Sequence, residues 1–296
     1  MILSLDIGGS KIAFGMVKLG DNPKVSDFRK IETPEDKESF LAAIKNIIAE
    51  YKKNNKIDKI CVGCAGFIDN FGKIARSGNI PLLDNFNLPH YLNTEFNVEV
   101  SIKNDVQCFT DAEAIYGAGK NNNIVIGIMI GTGIGGGIVI NKKSFTGSQG
   151  FSGEFAYNLL ETNPDKYLGS LVSCKAIEKN YFEITENKKT AREIELAAQA
   201  GDSESIEAIN RMSKYLEILL LNIITTFNPD AIIIGGGIID SQLQELLSGR
   251  ETLFSIAKKN VLDKLNELRS VKIKIEIKLS ELGYNAVLIG ATLTLI

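Results

Sequence analysis

One histidine, no tryptophan, six prolines and four cysteines in 296 residues set the first limits on this chain. A lone His90 nearly excludes a histidine-based catalytic triad or a histidine-rich metal centre. Following Leu88-Pro89, it reads as a loop or helix-start residue. No excess of positive charge exists either: Lys and Arg number 33 against 36 Asp and Glu, a net charge of −3. That balance argues against a nucleic-acid backbone or an anionic membrane as the main partner. No apolar run is long enough to span a bilayer. The first residues enter a strand without the basic and apolar regions of a signal peptide. A cytoplasmic protein is therefore expected. Cys61 and Cys64 form a C-x-x-C, but they lie in an apparent strand, where residues three apart point to opposite faces. Two packed thiols is the better reading than a redox or metal pair. Cys108 and Cys174 have no partner in the sequence.

Glycine is what the chain has in quantity. Gly131-Thr132-Gly133-Ile134-Gly135-Gly136-Gly137 sits between the apolar runs 124–130 and 138–140, and reads as a tight connection between two strands. Glycines leave backbone N–H groups unobstructed, which suits wrapping around a phosphate. A second such loop is Asp6-Ile7-Gly8-Gly9-Ser10-Lys11, and a third is Ile234-Gly235-Gly236-Gly237-Ile238. Each alone is weak evidence. Three, each launched from an apolar strand, suggest a nucleotide site assembled from distant parts of the chain.

Along the chain, a hairpin turning at Gly8 to Ser10 is followed by a strand over 25–32. Thr33-Pro34-Glu35-Asp36 reads as a helix start with Thr33 as N-cap, and Phe40, Leu41, Ile44, Ile47, Ile48 and Tyr51 recur at helical spacing. The Cys61 strand, a hairpin around Asn70-Phe71-Gly72, a helix over 88–95 and a strand over 98–102 come next. A helix over 106–116 closes this half, and the polar run Lys120 to Asn123 is the best domain boundary. The second half repeats the plan. Its helices are expected over 170–180, 190–200 and 203–226, its strands over 231–234 and 272–277. A last helix over 285–295 carries Gly290-Ala291, small residues that permit close helix contact. The composition suits a soluble α/β protein of two similar lobes, about 1–118 with the last helix 285–296 packing back on it, and 119–284.

Asp105 falls where a strand meets a helix N-terminus. It can serve as a general base for a hydroxyl nucleophile, or merely cap the helix that follows. Lys11 faces phosphates or is a solvated turn lysine. Gly235 to Gly237 approach a nucleotide or form a tight strand-to-helix turn.

Asp6-Ile7-Gly8-Gly9-Ser10-Lys11, Asn104-Asp105, Gly131 to Gly137, Gly153-Glu154 and Ile234 to Gly237 together resemble the ROK family of repressors and kinases, in order and at its usual spacing. The resemblance implies the two-lobed actin-like ATPase fold, related to ribonuclease H, with duplicated lobes and a central nucleotide and sugar cleft. Repressor members carry a helix-turn-helix ahead of the first loop. Here that loop begins at Asp6, so the resemblance implies a sugar kinase that uses ATP and Mg²⁺. Asp105 then becomes the catalytic base, and Asp6 the magnesium residue, through water. Gly8, Gly9, Ser10, Lys11, Gly131, Thr132, Gly133, Gly235 and Gly236 become the nucleotide residues. Ala65, Gly66, Asn79, Asn104, Asp105, Glu154 and Tyr157 match sugar-contacting positions. Family kinases are often homodimers.

The chain departs from the family in one place. Most members read Glu-x-Gly-His where this sequence reads Glu154-Phe155-Ala156-Tyr157, and three zinc-binding cysteines follow that histidine. Only Cys174 follows here, so no structural zinc is expected. The family's further sugar-binding glutamate aligns near Gly169, with Glu161 and Glu178 as distant substitutes. Transfer to the 6-hydroxyl of a hexose is expected. Glucose is favoured, or an N-acetylhexosamine such as N-acetylmannosamine. A catalytically weak sugar or nucleotide sensor of the same fold is the alternative.

Overall fold

The computed structural model describes residues 1–160, 167–237, 253–268 and 274–295. Its chain divides into two compact units. The first gathers residues 1–123, 137–153 and 281–296, and the second 124–136 and 154–280. Residues 137–153, placed in the second lobe from sequence, thus lie with the first unit.

In the first unit, β1 (Ile2–Ile7), β2 (Lys11–Lys18) and β3 (Lys24–Glu32) form an antiparallel meander. Strands β4 (Lys59–Cys64) and β7 (Glu99–Asn104) add in parallel to give the order β3-β2-β1-β4-β7. The short strands β5 (Phe67–Ile68) and β6 (Ile74–Arg76) make the hairpin expected around Asn70. Helix α1 (Lys37–Asn54) buries Phe40, Ile44, Ile47, Ile48 and Tyr51. Each such side chain contributes about 1.5–3 kcal/mol on burial. The helix begins three residues later than Thr33 suggested. Asp36 is the N-cap, accepting from the Ser39 amide at 2.8 Å. Thr33 is held elsewhere: its hydroxyl donates to the Gly8 carbonyl at 2.7 Å and its amide to Ser10 at 3.1 Å. Helices α2 (Leu88–Phe96) and α3 (Asp105–Ile115) flank β7 in sequence, and His90 lies in the first turn of α2, as expected.

The second sheet has the order β10-β9-β8-β11-β12, the same plan as the first. Its strands are β8 (Ile124–Ile130), β9 (Ile134–Ile140), β10 (Lys143–Ser144), β11 (Ala231–Gly235) and β12 (Glu276–Leu279). Both sheets thus pair a meander with two parallel additions, and the duplication legible in the sequence is real. The second unit also holds α4 (Cys174–Thr185), α5 (Ala191–Gln199), α6 (Ser203–Phe227) and α7 (Leu253–Leu268). Thr190 caps α5 in a reciprocal box with Glu193. The chain then returns to the first unit with α8 (Ala286–Thr292). Lys272 and Ile273, expected in the last strand, and Ile238 of the third glycine loop lie outside the described residues.

All four thiols are free. Burial pushes Cys61 up to about 11 and Cys64 well above its usual value, as two packed thiols require. No helix among the described residues is long and apolar enough to cross a membrane.

Candidate active site

The first unit's candidate residues converge at the carboxyl ends of parallel strands, the usual ligand edge of an α/β sheet. Register places Asp6 beside Gly63 and Gly63 beside Lys103, while Ile7, Cys64 and Asn104 form the next row. Gly63 has no side chain to separate its neighbours. A Cβ there would lie 2.5 Å from Val287 Cγ1 and 3.7 Å from Asp105 Cα. The Asp6 and Asp105 charges therefore act on one another. Burial first, then the charge of Asp105, pushes the Asp6 carboxyl up to about 8. Burial pushes Asp105 up to about 6, against the opposing hydrogen bond from the Val106 amide. Burial thus favours the protonated form of both carboxyls, reinforced at Asp6 by the charge of Asp105.

Asn104, rather than Asp105, is the N-cap of α3. Its Oδ1 accepts from the amides of Val106 at 2.9 Å and Gln107 at 3.0 Å. Its Nδ2 donates to the Gly66 carbonyl at 3.0 Å. Asp105 is the first residue of the helix, and its Oδ1 also accepts from Val106 at 2.9 Å. The cap thus fixes where the Asp105 carboxylate begins. Gly66 sits at φ 135°, where a Cβ would lie 2.7 Å from the Arg76 carbonyl oxygen. Ser77, which the sequence reading missed, donates its hydroxyl to the Ala65 carbonyl at 2.6 Å. Ala65, Gly66, Asn104 and Asp105 are thereby one hydrogen-bonded corner.

The Gly8 to Ser10 loop is closed by the Gly8 amide donating to Lys11 at 3.0 Å. Asn79 braces it from outside. A Cβ on Gly9 would meet Asn79 Cβ at 2.8 Å. Lys11 is exposed at the start of β2, opposite Glu32.

In the second unit, β8 and β11 run parallel with Met129 beside Gly235, so their glycine loops emerge together. Gly236, at φ 105°, packs on the preceding loop: a Cβ there would lie 2.3 Å from the Ile130 carbonyl oxygen. Gly131 and Gly133 face open space instead, with nothing within 4 Å of an added Cβ. The Gly131 amide donates to Gly133 at 2.8 Å, and the Cys174 amide at the start of α4 donates to the Gly131 carbonyl at 2.9 Å. The turn proper is 131–133. Ile134 to Gly137, read as part of one seven-residue cradle, are already strand β9. Gly137 serves packing: a Cβ there would lie 2.3 Å from Thr110 Oγ1 of α3.

These glycines differ in what substitution does. Gly236→Ala is expected to destabilise by about 2–4 kcal/mol, since both φ and the Ile130 backbone forbid it. Gly131→Ala is expected to leave the urea midpoint within about 0.5 kcal/mol of the wild type, since nothing lies within 4 Å of the new Cβ. Urea titration of both variants checks the contrast.

Glu154 precedes a single 3₁₀ turn, Phe155–Tyr157, whose Phe155 is buried against Phe227 with ring centroids 5.9 Å apart. Of the substitutes for the family's further glutamate, Glu178 accepts the Ala191 amide at 2.9 Å, which ties α4 to the start of α5. Gly169 packs on Ala156, and Glu161 lies outside the described residues. Sequence reasoning also missed two buried polar elements of the first unit. Gln107 donates from Nε2 to the Gly150 carbonyl at 2.9 Å. Lys103 of β7, Asp111 of α3 and Ser144 of β10 form a largely buried network. A lysine three residues after an exposed-looking strand position carries no sequence signal that its partners lie eight and forty-one residues away.

Two α/β sheets of identical strand order, each ending in glycine loops at its parallel edge, define a protein of the actin-like ATPase fold. The chain belongs to the ROK family, whose profile matches residues 2–295. It is 32% identical to a β-glucoside kinase of Listeria monocytogenes over 246 residues, covering 80% of this chain and 82% of that one. It is 28% identical to an N-acetyl-D-glucosamine kinase of Haemophilus influenzae over 258 residues, covering 80% and 84%. Among solved structures it resembles a ROK family glucokinase from Streptomyces griseus in complex with glucose and AMPPNP. That likeness has a TM-score of 0.84 at 23% identity and covers 98% and 97% of the two chains.

Proposed function

We propose that this chain is an ATP-dependent sugar kinase that transfers the γ-phosphoryl group to the 6-hydroxyl of a hexose, glucose or an N-acetylhexosamine such as N-acetylmannosamine. The observation that carries the reading is the Asp105 carboxylate. It stands at the first position of α3 with a capped neighbour, half-buried, and with its affinity for a proton raised toward neutrality. A base of this strength is ionised at pH 7 yet accepts a hydroxyl proton readily as the nucleophile commits. The membership of the ROK family, and the kinase names of the relatives, support the same reading.

In the proposed reaction the sugar hydroxyl gives its proton to Asp105 as its oxygen bonds to the γ-phosphorus. The bond from that phosphorus to the bridging oxygen breaks, and ADP leaves with the electron pair. The Val106 amide donates to the carboxylate during this transfer, while Asn104 caps the helix that carries it. The turn 131–133, open beside Gly131 and Gly133, suits the phosphates, and Gly235-Gly236 let adenosine approach the backbone. Asp6 fits magnesium. It is a hard oxygen donor whose own ionisation is opposed by burial and by Asp105, and no positive side chain acts on it among the described residues. Among those residues no three His, Cys, Asp or Glu side chains converge, so Asp6 would share the ion with water and phosphate oxygens. When bound, Mg²⁺ neutralises charge on the phosphates.

An ADP-release assay with glucose, mannose, N-acetylglucosamine, N-acetylmannosamine and a β-glucoside tests the reading. Turnover of at least one sugar is expected. No turnover with any, while ATP still binds, would replace the kinase by a sensor.

A further inference from the structure

Beyond α3 the chain runs through residues 116–123 before it leaves the first unit. Four backbone carbonyls of this stretch and of the helix end converge on one point, and Lys142 places its Nζ there. The ammonium donates to the carbonyls of Lys120 at 2.7 Å, Ala114 and Asn122 at 2.8 Å, and Gly119 at 3.4 Å. All four of these partners are main-chain oxygens.

Gathered carbonyl oxygens repel one another, so such a ring persists around positive charge. An ammonium has three protons to give. Here the three short bonds use them, and the Gly119 oxygen faces the charge without a proton of its own. A spherical cation engages all four alike, as carbonyl rings do when they replace the water around potassium. The ring therefore offers more than a lysine can use.

The backbone of Lys142 is also unusual. Asn141 and Lys142 connect β9 to β10 at φ 51° and 65°, both in the left-handed region. A two-residue hairpin loop of this kind favours Asn-Gly, because glycine takes positive φ without strain. Asparagine is present, but lysine stands where glycine fits best. The turn alone gives no reason for that side chain, and the four carbonyls do.

We propose that residues 114–122 form a monovalent-cation site, which this chain fills with the tethered ammonium of Lys142. Potassium or ammonium ion takes the same place once the side chain is removed. The site closes the end of α3 opposite Asp105, where the helix dipole is negative and a fixed positive charge is favourable. It makes the first unit indifferent to the monovalent cations around it.

Thermal unfolding of the intact protein at equal ionic strength in potassium, ammonium, lithium and choline chloride tests this. The wild-type midpoint is expected to be the same in all four salts. Lys142→Gly relieves the turn, yet in lithium or choline chloride its midpoint should fall about 2–4 °C below the wild type. Potassium or ammonium chloride should restore that loss, saturably. A glycine variant at least as stable as the wild type in choline chloride overturns the site, since only relief of the turn then remains. So does a loss that every salt restores alike, which is screening. A loss that no salt restores makes Lys142 an ordinary helix-capping lysine and overturns it too. Lys142→Met keeps an apolar stem without the charge, so it should lose a similar amount and gain nothing specific from potassium. A methionine variant that matches the wild type, or that potassium restores, overturns the proposal even where Lys142→Gly does not fold.

Discussion

Replacing Asp105 by asparagine is expected to lower kcat by about 10²–10⁴-fold while nucleotide affinity stays close to that of the wild type. Asparagine keeps the first position of α3 and can still accept from the Val106 amide, so the helix and its cap survive. What it cannot do is take a proton. The wild-type pH profile gives a second, independent reading of the same residue. Burial raises this carboxyl to about 6, so the ionised base is present above that pH and lost below it. kcat/KM should therefore fall as pH drops through about 6, approaching tenfold per unit. In Asp105→Asn the residual activity should lack that limb. A limb that persists unchanged in the variant would assign it to another group and remove Asp105 from the role of base.

Gly290→Val is expected to be the most destabilising single substitution in the first unit, costing about 4–5 kcal/mol or preventing folding. Helix α8 is buried along its whole length, and at Gly290 it meets the backbone of α3. An added Cβ would lie 1.7 Å from the Cys108 carbonyl oxygen and 2.4 Å from its carbon. No flexible side-chain end is there to move aside. Even Gly290→Ala should lose more to this collision than the ~1 kcal/mol that alanine gains in helix propensity. The control is Gly78→Ala, where nothing lies within 4 Å of the new Cβ. Its urea midpoint should match the wild type, within about 0.5 kcal/mol. Equal midpoints for Gly78→Ala and Gly290→Val would show that the two helices can part at little cost.

The sequence carried the repeating architecture well, because the signals involved are local. Continuous apolar β-branched runs mark β8 and β11, period 3.6 marks α1 and α6, and the glycine loops mark strand ends. Boundaries were harder where a local signal had two outlets. Thr33-Pro34 has the form of a helix start, but the Thr33 hydroxyl finds the Gly8 carbonyl, and the cap passes to Asp36. Asn104 and Asp105 are both good caps, and only the strand end decides that Asn104 faces two amides. The glycines from 131 to 137 looked alike, yet Gly131 and Gly133 face open space while Gly137 is pressed on Thr110. Only tertiary neighbours distinguish a glycine beside open space from one kept for packing. The Lys103–Asp111–Ser144 network was invisible for the same reason.

The route of the chain through the first unit also has a consequence for its synthesis. Strand β1 is made long before α8, yet the Ser4 hydroxyl on it donates to the Leu288 carbonyl of α8 at 2.7 Å. Between them, the ribosome must produce the whole second unit. The helix carrying Asp105 therefore lacks its covering neighbour for most of translation, and its Cys108 face stays wet until residues 286–292 emerge. Domains that close on their own can fold as they leave the exit tunnel. This one is clasped by a late segment, so the second unit is free to fold before the first is finished. A nascent chain arrested short of residue 286 would carry an unfinished first unit, a natural client for a chaperone.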